Sequence, residues 1–239
     1  MVSEGSTRER EKARYRRRKP IPAIIIVALL GVVAVVVWTK VIAKASDVNA
    51  AVACPPSSSQ PNATTTAGTK AKSTARPAGT ALPYNALDKI APEPASAVKV
   101  RVYNASTARG AALQASNQLT QDGLQVASPA NDPLYPKQDM KCTGQIRFGA
   151  NGESAARTVS LLVPCTQLVR DNRQDATVDL AIGSDFTSVA PNNEAQQAMQ
   201  QLAAWAAKHP TPKGGQQAQN SVLPQLSPAL LSQAHSDQC

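Results

Sequence analysis

Four cysteines are the residues of this 239-residue chain best suited to chemistry, and two of them, Cys142 and Cys165, bound the stretch CTGQIRFGANGESAARTVSLLVPC. Three uses are open to such a pair: metal ligation, thiol redox exchange, or a structural bridge. A zinc site draws its ligands in close pairs, a second Cys or His two to four residues from the first. Neither Cys142 nor Cys165 has one, so no metal site is expected. A Cys-x-x-Cys redox pair is ruled out by residues 143–164 between them. A disulfide remains, and it requires an oxidising compartment.

Other catalytic arrangements find no support. Ordered structure is expected over residues 96–190, and both histidines, His209 and His235, lie beyond it, so a Ser or Cys nucleophile there lacks an imidazole base. The carboxylates Asp122, Asp132, Asp139, Glu153, Asp171, Asp175, Asp179 and Asp185 are scattered, with no acid/base or metal-binding spacing. They read as solvated surface charge. Gly149–Gly152 follows a strand but lacks the Gly-Lys-Ser/Thr ending of a phosphate loop. No catalytic residue, metal or cofactor is expected, and the chain does not read as an enzyme. The candidates for binding are Asn104, Ser106 and Arg109, in the turn before the first helix of the domain, with Gly110 permitting close approach; the alternative is that they cap that helix.

The elements that position these residues follow from periodicity. In SAVKVRVYNAS, Val98, Val100 and Val102 alternate with Lys99, Arg101 and Tyr103, the period of a strand with one buried face. Ala108, Ala112, Ala115 and Leu119 then make a small-residue helical face, stopped by Gly123. LQVAS, residues 124–128, is a short second strand, and the Pro-rich PANDPLYPKQDM a loop. In the third strand, Cys142, Gly144, Ile146 and Phe148 point one way and Thr143, Gln145 and Arg147 the other. Ala155, Val159, Leu162 and Val163 form one face of a helix ended by Pro164, and Val178, Leu180 and Ile182 mark a fourth strand. The order β-α-β-β-α-β predicts an α+β domain of the split βαβ type, with two helices on one face of a sheet. A further amphipathic helix starts near Asn192 or Asn193, with Ala195, Ala198, Leu202 and Trp205 on one stripe, suited to docking on protein, on the open face of the domain.

The flanks set the compartment. Residues 1–20 carry eight Lys/Arg against three Glu, residues 96–190 nine against eight, so the formal net charge of +9 lies largely outside the domain and no nucleic-acid partner is expected. Residues 20–39, PIPAIIIVALLGVVAVVVWT, hold no charge over the length needed to cross a bilayer, with Trp38 at an interfacial position. Arg8, Arg10, Lys12, Arg14, Arg16, Arg17, Arg18 and Lys19 precede this span and only Lys40 and Lys44 follow it closely, so the positive-inside rule predicts a single-pass plasma-membrane protein with a cytoplasmic N-terminus and an extracytoplasmic C-terminal domain. The rival reading, a cleaved signal ending at Ala51-Val52-Ala53, sits too far from the span. The expected organisation is a basic arm over 1–19, a transmembrane helix over 20–43, a Pro/Ser/Thr/Ala-rich stalk over 44–95 carrying the sequon Asn62-Ala63-Thr64, the domain over 96–190, the amphipathic helix over 191–209 and a loosely ordered tail over 210–239. Outside the cytoplasm disulfides persist, and the strand-helix path brings Cys165 back beside Cys142, so this pair is expected to be bridged. Cys54 and Cys239 are left to pair with each other, stay free or bond between chains.

VRVYNASTARGAALQASNQLTQDGL resembles the opening of the LytR C-terminal domain, and DLAIGSDF its closing strand with Gly-x-Asp-Phe. Where that family commonly has Asn-Gly, this chain has Asn104-Ala105. The resemblance implies a plasma-membrane protein whose domain faces the cell wall, supports envelope integrity and has for partner a wall polymer or an envelope-assembly protein. Two other readings are a wall-metabolic enzyme using carboxylates in an unfamiliar arrangement, and a signalling or anchoring protein working through its cytoplasmic arm.

Overall fold

A computed structural model describes residues 21–58, 79–209, 224–235 and Cys239. The basic arm, the sequon and residues 210–223 lie outside the described residues. The chain divides into two units, residues 1–44 and 45–239. Helix α1 (Ile21–Val52) is the one helix among the described residues long and apolar enough to cross a membrane, and none of its apolar window is buried in protein. The helix runs past the expected limit of residue 43, because Ala50 and Ala51 carry no breaking residue and Cys54-Pro55-Pro56 first stops it. Its last turns belong to the second unit, where Val52 is buried and Asn49 Oδ1 accepts the Tyr84 N–H at 2.8 Å.

The second unit is built on a sheet of β1 (Thr80–Leu82), β2 (Lys99–Asn104), β3 (Gln125–Val126), β4 (Ala130–Asn131), β5 (Gly144–Phe148), β6 (Gln167–Arg170) and β7 (Val178–Ile182). Their order is β1-β6-β5-β7-β2-β3, with β4 also paired to β2. β2 runs parallel to β3, β4 and β7, and β5 parallel to β6; β5–β7 and β1–β6 are antiparallel. Helix α2 (Ala111–Gln121) connects β2 to β3, and α3 (Glu153–Leu162) connects β5 to β6. The domain is therefore α+β as expected but not split: in each β-α-β unit the two strands are direct neighbours, and β7 joins the units. The sequence reading placed residues 166–170 in a polar loop, whereas QLVR, residues 167–170, supplies β6.

Both crossovers put their helices on one face, and geometry requires it. β2 and β5 point in opposite directions, and their crossovers step outward in opposite directions along the sheet, so two right-handed connections land on the same side. There Val100, Val102, Ile146, Phe148, Leu168, Val178, Leu180 and Ile182 meet Ala112, Ala115 and Leu119 of α2 and Ala155, Val159 and Leu162 of α3. The small residues of α2 let it lie close to the strands. Gly123, at φ +89°, ends α2 in the left-handed conformation that an L side chain resists. α4 (Asn193–Lys208) is capped by Asn192, whose side chain accepts the Ala195 N–H at 2.8 Å. Ala195 packs with Leu161 of α3 and with Ala234 of α5 (Pro228–Ala234), so α4 lies on the helical layer and not on the open sheet face.

Three further expectations are corrected. The 44–95 segment is not a stalk throughout: β1 pairs with β6, Tyr84 and Leu87 are buried, and Ser58 N–H donates to Asp139 at 3.0 Å. The 210–239 tail holds α5. The disulfides are Cys54–Cys142 and Cys165–Cys239, with Cα separations of 5.2 and 5.3 Å, in place of Cys142–Cys165 and Cys54–Cys239. The reason is local: β5 begins only at Gly144, so the alternation does not extend back to Cys142, which packs with Tyr135, Met140 and Ala181 on the face turned away from the helices. Cys165 precedes β6 at the same sheet end yet meets the returning tail.

Peptide mapping without reduction is expected to recover Cys54-linked-to-Cys142 and Cys165-linked-to-Cys239 peptides. Replacing Cys54 and Cys142 by Ala should lower unfolding stability by roughly 2–4 kcal/mol in chemical denaturation, from the large loop they close.

Candidate functional site: the polar face of the sheet

Away from the helices, the sheet presents polar side chains at the positions alternate to the core. Strand register aligns them in two rows: Val169, Arg147, Asp179 and Arg101 in one, Gln167, Gln145, Ala181 and Tyr103 in the other. In the first row charges alternate across β5, β7 and β2. Arg101 Nε donates to Asp179 Oδ1 at 2.6 Å, and Arg173 Nη2 to Asp179 Oδ2 at 2.7 Å. Arg173 also grips Asp171, its Nε 2.9 Å from Oδ1. The Asp179 hydrogen bond raises the Arg101 pKa above its ordinary value despite burial. Burial alone would lower Arg173, but its bonds to Asp171 and Asp179 outweigh that and hold it firmly charged.

The middle of this face is covered by the loop after β4. Arg147 and Asp132 form a forked pair, Nη1–Oδ1 at 3.0 Å and Nη2–Oδ2 at 2.7 Å, with Arg147 4% and Asp132 1% exposed. Asp132 also accepts the Leu134 N–H at 2.9 Å, which folds Asp132-Pro133-Leu134-Tyr135 into a turn and sets Tyr135 over Arg147, whose guanidinium carbon is 5.8 Å from the ring centre. Tyr135 Oη donates to Pro55 O at 2.8 Å, and burial pushes its phenol pKa up. The Cys54–Cys142 bridge holds the chain after α1 against this loop.

Between this cover and β1 is a cavity of about 170 Å³ with Gln145, Arg147 and Gln167 in its floor and Tyr135, Pro56 and Ala81 in its walls. Its hydrogen bonding has a fixed direction. Arg147 has no acceptor, so Gln145 must turn Oε1 to it, and does so at 2.9 Å from Arg147 Nε. Gln145 Nε2 then donates to Gln167 Oε1 at 2.8 Å, leaving the Gln167 carboxamide nitrogen as the end of the relay. The cavity therefore offers N–H donors at no net charge beside a ring, which suits a neutral, oxygen-rich ligand.

The four residues proposed from sequence are placed elsewhere, at the end of β2. Asn104 Oδ1 accepts both the N–H and the hydroxyl of Ser106 at 3.0 Å, and its Nδ2 donates to Ala108 O at 3.0 Å. Those atoms hold the 104–108 turn and do not cap α2, whose N-cap is Gly110 at φ +83°. Arg109 is exposed, and Asn104 and Gly110 line a shallow cleft with Asn131. The sequence reading missed the 132–135 turn and the Gln145–Gln167 pair. Asp132-Pro133 was its available signal; nothing announced that the second face would be covered.

Residues 97–186 match the family described as LytR cell envelope-related transcriptional attenuator. The whole chain is 34% identical to the cell envelope integrity protein Cei of Mycobacterium tuberculosis, over 98% of that protein. The domain is similar to the crystal structure of the soluble domain of a conserved hypothetical secreted protein from Mycobacterium marinum, at 33% identity and a TM-score of 0.56, covering 68% of this chain and 99% of that one.

Replacing Asp132 by Asn would leave the Arg147 charge buried without its counter-ion, and is expected to cost about 3 kcal/mol or more. The double replacement Asp132→Leu with Arg147→Met should recover much of that loss in urea unfolding.

Proposed function

Because the chain belongs to the family of the cell envelope integrity protein Cei, we propose that it is a single-pass plasma-membrane protein that supports the envelope without catalysing a reaction, by holding a wall glycan on the polar face of its sheet. In this reading the N-terminal arm is cytoplasmic and the domain lies outside. The basic flank of residues 8–19 before the apolar helix supports the orientation, and two disulfides suit an oxidising compartment.

The carrying observation is the directed relay Arg147→Gln145→Gln167. Paired carboxamides of fixed orientation beside an aromatic ring donate N–H groups to sugar hydroxyl and ring oxygens without requiring a charged group. Burying the ionic pair Arg147–Asp132 beside them keeps the site neutral while locking its geometry. An envelope-assembly protein as partner would have to use a different surface, since the cavity admits little more than one ring-sized group.

The test is a pull-down of the host's own solubilised wall glycan by the full chain in detergent. Gln167→Ala is expected to weaken retention roughly tenfold, as loss of one or two hydrogen bonds would, with no change in unfolding temperature. Equal retention by wild type and variant would overturn the glycan reading, and crosslinking of a protein in its place would favour an assembly partner. Deleting residues 2–13 should leave envelope support intact; its loss would point to the cytoplasmic arm.

A further inference from the structure

On the helical side of the sheet, Arg157 of α3 points away from the strands toward α5. It is completely buried. Its Nη2 donates to Leu231 O at 3.3 Å, and Nη1 stands 3.2 Å from Asp88 Oδ1 without the alignment of a hydrogen bond. His235 contacts the same carboxylate, its Nδ1 2.7 Å from Asp88 Oδ1, and its ring stacks on Tyr84 with centres 4.1 Å apart. Asp88 is pulled both ways. Burial acts against its charge, but the bond and charge of His235 and the charge of Arg157 prevail, and its pKa lies below the usual carboxylate value.

Four buried side-chain nitrogen or oxygen atoms lack a hydrogen-bond partner among the described residues, and three of them are here: Arg157 Nε, Arg157 Nη1 and His235 Nε2. Folded proteins keep few such groups, because each forfeits its hydration without replacement. Arg157 also lines a cavity of about 420 Å³ between the 88–92 turn and the tail segment 224–232. Lys89 lies on its wall, and Ile90, Leu226 and Leu231 supply apolar surface. The charged lining is Arg157 and Lys89 against Asp88, one positive charge in excess. A guanidinium can only donate, so whatever satisfies it must accept.

We propose that this cavity is a binding site for a small organic anion, whose carboxylate or phosphate accepts from Arg157 with Lys89 assisting and whose apolar body lies against Ile90, Leu226 and Leu231. The occupant completes the hydrogen bonding of a guanidinium that the described residues leave short. It is a second site, across the sheet from the glycan cavity and independent of it.

Benzoate and phenyl phosphate serve as probes, with phenol as the uncharged control, in calorimetric titrations of the full chain in lipid nanodiscs against empty discs. Saturable binding of at least one anion and none of phenol is expected, and the preferred anion identifies the head group. Arg157→Gln should weaken it about tenfold or more, as removal of a charge-assisted bond does, and Lys89→Gln, at an exposed position, severalfold with unchanged unfolding temperature. Absence of binding by both anions, binding of phenol as tight as theirs, or affinity unaltered in Arg157→Gln would overturn the proposal. Should Arg157→Gln fail to fold, Lys89→Gln decides, and unchanged affinity in it rejects the site.

Discussion

The placement of β7 between β2 and β5 is the constraint from which the rest of the domain follows. It welds two β-α-β units that would each leave an open strand edge, and it does so parallel to one and antiparallel to the other. That single reversal forces both helices onto the same face. The consequence is a strongly two-sided sheet, with one face buried under α2 and α3 and the other left to polar chemistry. β7 itself is buried at all five positions, so Asp179, on its polar side, has to be paired. Arg101 and Arg173 close on it from opposite directions.

Ionic groups on a covered sheet face stabilise little by themselves, since desolvation offsets most of their attraction. Their value here is positional. The Asp132–Arg147 fork fixes the loop above β5, the loop fixes Tyr135, and Arg147, being unable to accept, sets the orientation of two carboxamides beyond it. An apolar replacement of the pair would pack as well but would leave Gln145 and Gln167 free to flip. Cys54–Cys142 works to the same end from the other side, holding the segment after α1 as a wall of the cavity.

Strands β2, β5 and β7 and helices α2, α3 and α4 were legible because the apolar residues facing the main core recur with a period of two or about 3.6, even in β7 and α3, whose other sides are also covered. The missed parts share a physical cause. β1 is three residues on an edge, and β6 is four residues between a proline turn and a charged loop, too short for any period to register. α3 was read as amphipathic, yet residues 155–162 are all buried, since the 88–93 segment takes up Arg157 and Thr158 and helices α4 and α5 pack on Leu161 and Arg157. The disulfide pairing failed on one residue: alternation was carried two positions beyond the true start of β5, which turned Cys142 to the wrong face. Gln145 and Arg147 were placed on the face opposite the core, but their partners Gln167 and Asp132 lie fifteen residues or more away in sequence, where pattern carries no information.

The corrected pairing changes what the bridges accomplish. A Cys142–Cys165 bond would have tied two neighbouring strands already joined by the β5–β6 ladder, adding little order to what hydrogen bonds had secured. The observed bonds instead fasten the two segments that the ladder cannot hold: the chain leaving α1, at Cys54, and the chain terminus, at Cys239. Neither segment has a strand partner of its own beyond short β1, and Pro55 and Pro56 cannot donate to one. Cys54 of the first bridge lines the first cavity, and the second cavity is walled by residues 224–232 of the tail that Cys239 ends. Covalent closure lets proline-rich chain wall a cavity: Cys54 reaches in from the margin to a buried partner, Cys142, which packs with Tyr135, Met140 and Ala181.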